Sequence, residues 1–291
     1  MATAARRRSG VPLSDRALGR WVRIYIPILG LLIVTLFPFY WMAVTTFKSP
    51  SELFDFNQTP LFVREPTLDH WKELFLHTNF PRWAFNTTVV AIVSTAISLF
   101  CSVLAGYSLA RLRYRGATPM GWAIFVTYLV PPTLLFLPLT FVIRGLHLFN
   151  NLLALILTYP TFLIPFCTWL LIGYFKTIPR ELEESAMVDG ATRLQAMWRI
   201  AIPLALPGIL SAGMFAFTLS WNEFLYALIF LNDSAAKTIP VGVTQEFIHG
   251  DDFFWGQLMA GALMGSVPVA LLYSFFVDQF VSGLTAGAVK G

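Results

Sequence analysis

Residues 152–207 read LLALILTYPTFLIPFCTWLLIGYF and then KTIPRELEESAMVDGATRLQAMWRIAIPLALP. The first part, 152–175, contains no charged side chain. A helix needs about 20 apolar residues to cross the hydrocarbon core of a bilayer, so this part reads as a membrane span. The second part, 176–207, carries both signs of charge and is too polar to follow it into lipid. On either side, five more segments have the character of the first: 24–47, 85–109, 120–142, 208–231 and 257–277. Glu223 is the one ionisable residue inside any of the six. The expected fold class is all-α, an integral membrane bundle of six transmembrane helices with a helical hairpin projecting from one face.

Composition agrees. Of 291 residues, 56% are hydrophobic and 12% charged, against about 25% charged in a soluble domain. The formal charge of +4 does not point to nucleic acid, because the basic residues sit at the ends of spans and form no continuous basic face with interleaved aromatics. Cys101 and Cys167 lie inside spans without metal-ligand spacing and read as small packing residues. His70, His77, His147 and His249 show no metal spacing either, so no metal site is expected. Residues 1–23 do not read as a cleavable signal: the apolar run after Arg23 is too long, and no small-residue cleavage site ends it.

Six crossings place both termini on one side. Fourteen lysines and arginines fall on the side of the termini and six on the other, and that excess marks the termini and 176–207 as cytoplasmic. The chain then divides into a cytoplasmic segment 1–23, a bundle 24–280 containing the hairpin 177–203, and a cytoplasmic tail 281–291. The outside receives 48–83, 143–151 and 232–256. In the first of these loops Leu68, Trp71, Lys72, Leu74, Phe75 and His77 suggest a short amphipathic helix at the membrane interface. Trp71 and Trp83 are expected at headgroup level. No cytoplasmic stretch is long enough for a nucleotide-binding domain, and no G-x-x-x-x-G-K-[ST] loop occurs. If ATP drives this protein, another chain binds it.

The hairpin is written in local signals. Pro179 suits a first helical turn, and Glu181, Glu183 and Glu184 follow where negative charge is favoured. Asp189-Gly190 is a turn, with Gly190 free to take positive φ. Thr192 and Gln195 have capping-box spacing for a second helix. On it Leu194, Met197, Trp198 and Ala201 recur as one apolar face, and Pro203 and Pro207 are expected to end it. Two readings stand side by side: the stripe packs on its own bundle, or the hairpin hands force to a soluble motor.

The spacing within this segment resembles a known signature. Glu184-Ser185-Ala186, three residues, Gly190, nine residues, Ile200, then Ile202-Pro203 is similar to the "EAA" loop of membrane subunits of bacterial binding-protein-dependent ABC importers. That pattern is Glu-Ala-Ala, three residues, Gly, nine residues, Ile, one residue, Leu-Pro. Ser185 and Ile202 depart from it conservatively. The runs Asn86-Thr87-Thr88, Ala105–Arg111 (AGYSLAR), Trp221-Asn222-Glu223-Phe224, Thr238–Gly242 (TIPVG) and Gly283–Gly291 (GLTAGAVKG) look like the maltose-type second permease of carbohydrate importers. The resemblance implies a permease subunit, without catalytic residues, that moves a sugar inward. Its implied partners are a second homologous permease, an ATPase dimer holding ATP and Mg, an extracytoplasmic sugar-binding protein and the lipid bilayer of the bacterial cell membrane. Glu181, Glu184, Ser185, Ala186, Asp189, Gly190, Met197, Ile200 and Pro203 would couple to the ATPase. Glu184 would meet a basic residue there, and Gly190 would form the elbow. Thr285, Gly287 and Lys290 of the tail would touch the ATPase pair.

A charge inside a span is costly and faces protein or a watery cavity. Trp221, Asn222 and Glu223 are therefore candidates to line the substrate path, with Trp221 offering a stacking face for sugar rather than a packing anchor. Equally, Glu223 bonds a neighbouring helix and fixes the bundle. Successive helical residues point about 100° apart, so the three cannot share one lumen. Pro131-Pro132, Pro138, Pro160 and Pro165 break or kink the third and fourth spans. Gly256, Gly261 and Gly265 form a small-residue face. A secondary transporter driven by an ion gradient is the competing reading, but it needs more ionisable midplane residues than Glu223. A membrane enzyme needs clustered nucleophiles, bases or ligands, which the sequence lacks.

Overall fold

The computed structural model describes residues 21–55 and 59–285, with backbone alone at Trp21 and 278–285. It is almost wholly helical. Five helices in the described residues are long and apolar enough to cross a membrane, or six if one bent pair counts as a span. The elements are α1 (Ile26–Phe47), α2 (Phe80–Arg111), α3 (Ala117–Leu129), α4 (Pro132–Gly145) and α5 (Leu152–Thr177). After them come α6 (Glu181–Val188), α7 (Arg193–Trp221), α8 (Leu225–Phe230), α9 (Ile239–Phe247) and α10 (Trp255–Thr285). A two-residue antiparallel ribbon, β1 (Ile248–His249) with β2 (Asp252–Phe253), joins α9 to α10.

Helix α2 runs through the middle, against α5 and α7. Ser94, Ser98, Ser102 and Gly106 fall four residues apart on one buried face. Small side chains at that spacing let helix backbones come close, which is the usual way to bind helices without a hydrophobic drive. A Cβ on Gly106 would lie 3.0 Å from that of Leu171. The Ser94 and Ser220 hydroxyls meet at 2.9 Å, and Ser102 donates to the Ile164 carbonyl at 3.1 Å. The core beside this seam holds Tyr107, Tyr159, Leu163, Phe175, Tyr226 and Phe230. Helices α1 and α3 show almost no buried side chains, as lipid-facing helices or helices awaiting a partner should.

The third span breaks at its paired prolines, as the sequence led one to expect: α3 and α4 are bent by 93° at Val130-Pro131. A proline drives the residue before it out of helical conformation, and two in a row do so twice. Val130 (ψ 119°) and Pro131 (ψ 130°) are extended accordingly. Pro138 lies inside α4 without ending it. Pro160 leaves α5 continuous, because it opens the second part of that span at a position where its missing N–H costs nothing.

The fifth span is displaced. Pro203 and Pro207 do not end the second arm of the hairpin, since α7 runs unbroken from Arg193 to Trp221. A π turn over Met197–Ala201 takes up the misfit, with the Ile202 N–H reaching back five residues to the Met197 carbonyl. The break comes instead at 222–224, before α8.

In the loop after α1 the expected short helix is present as Asp69–Lys72 with its π continuation Glu73–His77; His70 and Leu74 point inward and are buried, while Leu68, Phe75 and Leu76 stay exposed. The His70 ring bonds the Lys48 carbonyl at 2.9 Å and lies over Gly256, where a Cβ would overlap it. Trp83 is fully buried in the protein, and its indole N–H donates to the Ser234 carbonyl at 2.6 Å. Val243 and Ile239 come close over Gly261 and Gly265. Cys167 is buried, and Cys101 is exposed.

Candidate functional site: the hairpin and its root

The first arm of the hairpin is α6. Its end is a Schellman turn: Gly190 takes φ +92°, its N–H reaches the Met187 carbonyl, and the Ala191 N–H reaches that of Ala186 at 2.9 Å. Thr192 and Gln195 then close a reciprocal capping box, at 3.3 Å and 2.8 Å, and start α7. The backbone N–H groups of Asp189, Gly190, Ala191 and Thr192 are thus all satisfied within the hairpin. Within α6 the Ser185 hydroxyl bonds the Glu181 carbonyl.

The apolar stripe divides. Met197 and Ala201 are buried against the bundle, whereas Leu194 and Trp198 are 63% and 50% exposed. Residues four apart share a face, so Leu194 and Trp198 form an outward pair. Leu182 and Val188 on α6 are exposed as well. Glu181, Glu184, Ser185, Asp189, Gly190 and Pro203 lie at the surface, and Ala186 and Ile200 are half-buried. Met197, expected among the outward residues, anchors the arm inward.

The root of the hairpin is an ionic lock not anticipated from the sequence. Glu183 is buried. Its carboxylate accepts from the Tyr107 hydroxyl at 2.7 Å and faces Arg111 Nε at 2.9 Å, as an ion pair rather than an aligned hydrogen bond. Arg111 Nη2 donates to the Ile178 carbonyl at 2.7 Å, and Arg180 Nη2 donates to the Ala110 carbonyl at 3.1 Å. The end of α2 and the start of α6 are thus tied from both sides. Tyr107 and Arg111 are four apart on one helix, which is the signal the sequence offered.

At the other end of α7, Trp221 is 4% exposed. Its ring stacks on Phe217, and its N–H donates to the Gly265 carbonyl at 2.9 Å. Its indole thus packs between α7 and α10. Trp221 and Asn222 do line one largely apolar cleft of about 640 Å³ with Phe39, Phe224, Val243 and Tyr273. Glu223 points elsewhere. It accepts from the Tyr159 hydroxyl at 2.8 Å and from the backbone N–H groups of Tyr226 (2.8 Å) and Ala227 (3.2 Å). It therefore caps α8 and ties it to α5, just past the end of the displaced fifth span. Thr285 closes α10, while Gly287 and Lys290 lie outside the described residues. Among the described residues, no three His, Cys, Asp or Glu side chains gather as a metal site.

Residues 98–285, which include the lock, the hairpin and the α7–α8 break, match the family of binding-protein-dependent transport system inner membrane components. The chain belongs to this family. Its members are the permeases of ABC importers, with ATP hydrolysis on separate subunits, so this permease is a non-catalytic subunit. It is 37% identical over 280 residues to an inner membrane ABC transporter permease protein of Escherichia coli, covering 96% of this chain and 99% of that one. It is 39% identical over 262 residues to the sulfoquinovosyl glycerol transport system permease protein of Agrobacterium fabrum, covering 90% and 91%. With the trehalose/maltose transport system permease protein of Thermococcus litoralis it shares 33% over 264 residues, covering 89% and 93%. In fold it is similar to a chain of a bacterial ABC transporter that imports the acidic polysaccharide alginate, with TM-score 0.77 at 20% identity, covering 93% of this chain and 99% of that one.

Proposed function

We propose that this permease moves a sugar into the cytoplasm, and that the hairpin 177–203 passes to the bundle the motion of an ATPase that binds ATP and Mg. The observation that carries the coupling is the division of labour between adjacent glutamates. Glu183 is buried in the lock to α2, while Glu184, Leu194 and Trp198 are all exposed on the hairpin. A lever needs such an arrangement: one end fixed to the load, the other presenting charge and apolar surface to a motor. The sugar assignment is supported by the relatives named for transport of trehalose/maltose and of sulfoquinovosyl glycerol.

On this reading a second homologous permease covers the exposed faces of α1 and α3, and a sugar-binding protein delivers substrate from outside. The protein sits in the bacterial cell membrane with 1–23 and the tail 281–291 in the cytoplasm. Thr285, Gly287 and Lys290 reach the ATPase pair. Trp221 and Asn222, through the cleft they line, border the path, and Glu223 shapes it from behind by holding α8.

The test is Glu184→Lys. It puts a like charge against the expected basic partner, and such a clash costs several kcal/mol, or orders of magnitude in association. The variant should insert normally, lose the ATPase from the membrane and lose uptake. Normal uptake with the ATPase still bound would show that the hairpin is not the docking element.

A further inference from the structure

Beside the lock, between the end of α2 and the two arms of the hairpin, lies a cavity of about 270 Å³. Its wall includes Arg111, Arg113, Arg180 and Arg193, with Glu183, Glu184, Tyr107 and Met187. Four guanidinium groups face two carboxylates. Arg111 and Glu183 neutralise each other, and Arg180 is held by the Ala110 carbonyl. Arg113 and Arg193 have no hydrogen-bond or ion-pair partner among the described residues. They come from different parts of the chain, one just past α2 and one at the start of α7, and they are gathered only by the fold. Both are exposed, and the Glu184 carboxylate shares the wall, so four arginines against two glutamates leave it a net charge of +2 that an anion would offset.

We propose that this cavity binds a phosphate group, and that its occupant is the headgroup of an anionic phospholipid of the leaflet on the hairpin side. Guanidinium forks match phosphate oxygens in pairs, which favours phosphate over a diffuse counter-ion. The cavity opens where α2 leaves its apolar run, the depth at which basic residues meet anionic headgroups. A headgroup there would bridge Arg113 of the bundle and Arg193 of the hairpin, outside the Arg111–Glu183 pair. It would brace the hairpin to the bundle through lipid, so coupling between ATP hydrolysis and transport would depend on the anionic lipid content of the membrane. This inference rests on the cavity and its charges, not on the sugar assignment.

The test uses the whole importer complex in nanodiscs of phosphatidylcholine with or without phosphatidylglycerol. Native mass spectrometry reads the lipid retained by wild type and by the R113Q/R193Q double variant. Each basic side chain near an anionic surface contributes roughly fivefold in affinity, so the double variant should lose about 30-fold in phosphatidylglycerol retention. Inorganic phosphate should compete for the site in wild type only. Displacement by phosphate without retention of phosphatidylglycerol would keep the phosphate site and overturn the lipid occupant. Equal retention of both lipids by wild type, with no effect of phosphate, would overturn the proposal. So would loss of the ATPase from the double variant with lipid retention unchanged, because the arginines would then be receiving an acidic side chain of that subunit. Sugar uptake is not needed for any of these readings.

Discussion

Glu183→Ala removes one half of a pair whose side chains are 8% and 5% exposed, Glu183 and Arg111 respectively. Arg111 is then left buried with a single partner, the Ile178 carbonyl, and the Tyr107 hydroxyl loses its acceptor. Breaking a buried ion pair from one side costs about 3–5 kcal/mol, most of it the stranded charge. The loss falls on the attachment of α6 to α2, so it should appear as local opening rather than global unfolding. Hydrogen exchange over residues 178–190 of the assembled importer should quicken by about 100-fold or more, following from that cost. Glu184→Ala, one residue away and exposed, should change exchange little, within about 0.5 kcal/mol, yet reduce ATPase association. Replacing both partners by apolar residues, Glu183→Leu with Arg111→Met, should restore most of the protection, because no charge is then stranded. If Glu183→Ala exchanges like wild type, the lock does not hold the hairpin and the lever reasoning fails.

Gly190→Val places a β-branched residue at φ +92°, unfavourable by about 1–2 kcal/mol; the turn should loosen and uptake fall while membrane insertion is kept, read by fractionation and transport. Trp221→Ala should cost about 3–5 kcal/mol of core stability and show as loss of assembled complex on size-exclusion chromatography, in contrast to the selective uptake defect expected of a pure stacking residue. In a background without Cys101 and Cys167, single cysteines at Ser14 and Ser282 should resist an impermeant thiol reagent in intact cells, whereas one at Ser234 should be labelled; labelling at Ser14 in sealed cells would reverse the orientation. Deleting residues 285–291 should weaken ATPase association without affecting insertion, measured by co-purification.

What could be read from the sequence was whatever is encoded locally. Apolar runs located the spans, Gly190 located the turn, and Thr192 with Gln195 located the start of the second arm, because each signal is satisfied within a few residues. What could not be read depends on distant neighbours. Glu183 and Glu184 are chemically alike and adjacent; only the arrival of Tyr107, 76 residues away, decides which of them is buried. The stripe from Leu194 to Ala201 has one period but two fates, since a helix lying on a bundle buries only part of its apolar face. Pro203 and Pro207 read as stops because proline clashes with the preceding turn, and the π turn that absorbs the clash leaves no mark in composition. Pro131-Pro132 showed that the third span must break, but not that the bend would reach 93°. Trp83 and Trp221 look like boundary or ligand-facing aromatics, yet each finds a carbonyl for its indole N–H inside the fold.

If the hairpin is the lever, sugar moves through this permease only when an ATPase works on it. The complex of this chain with its partner permease, ATPase pair and binding protein can be sealed in proteoliposomes, with ATP and Mg on the side of the hairpin. Uptake of a panel of labelled sugars is then measured with and without an imposed ion gradient. Uptake of at least one sugar should require ATP, be indifferent to the gradient and be abolished by Glu184→Lys in this chain. Uptake that follows the ion gradient and persists without ATP would contradict it.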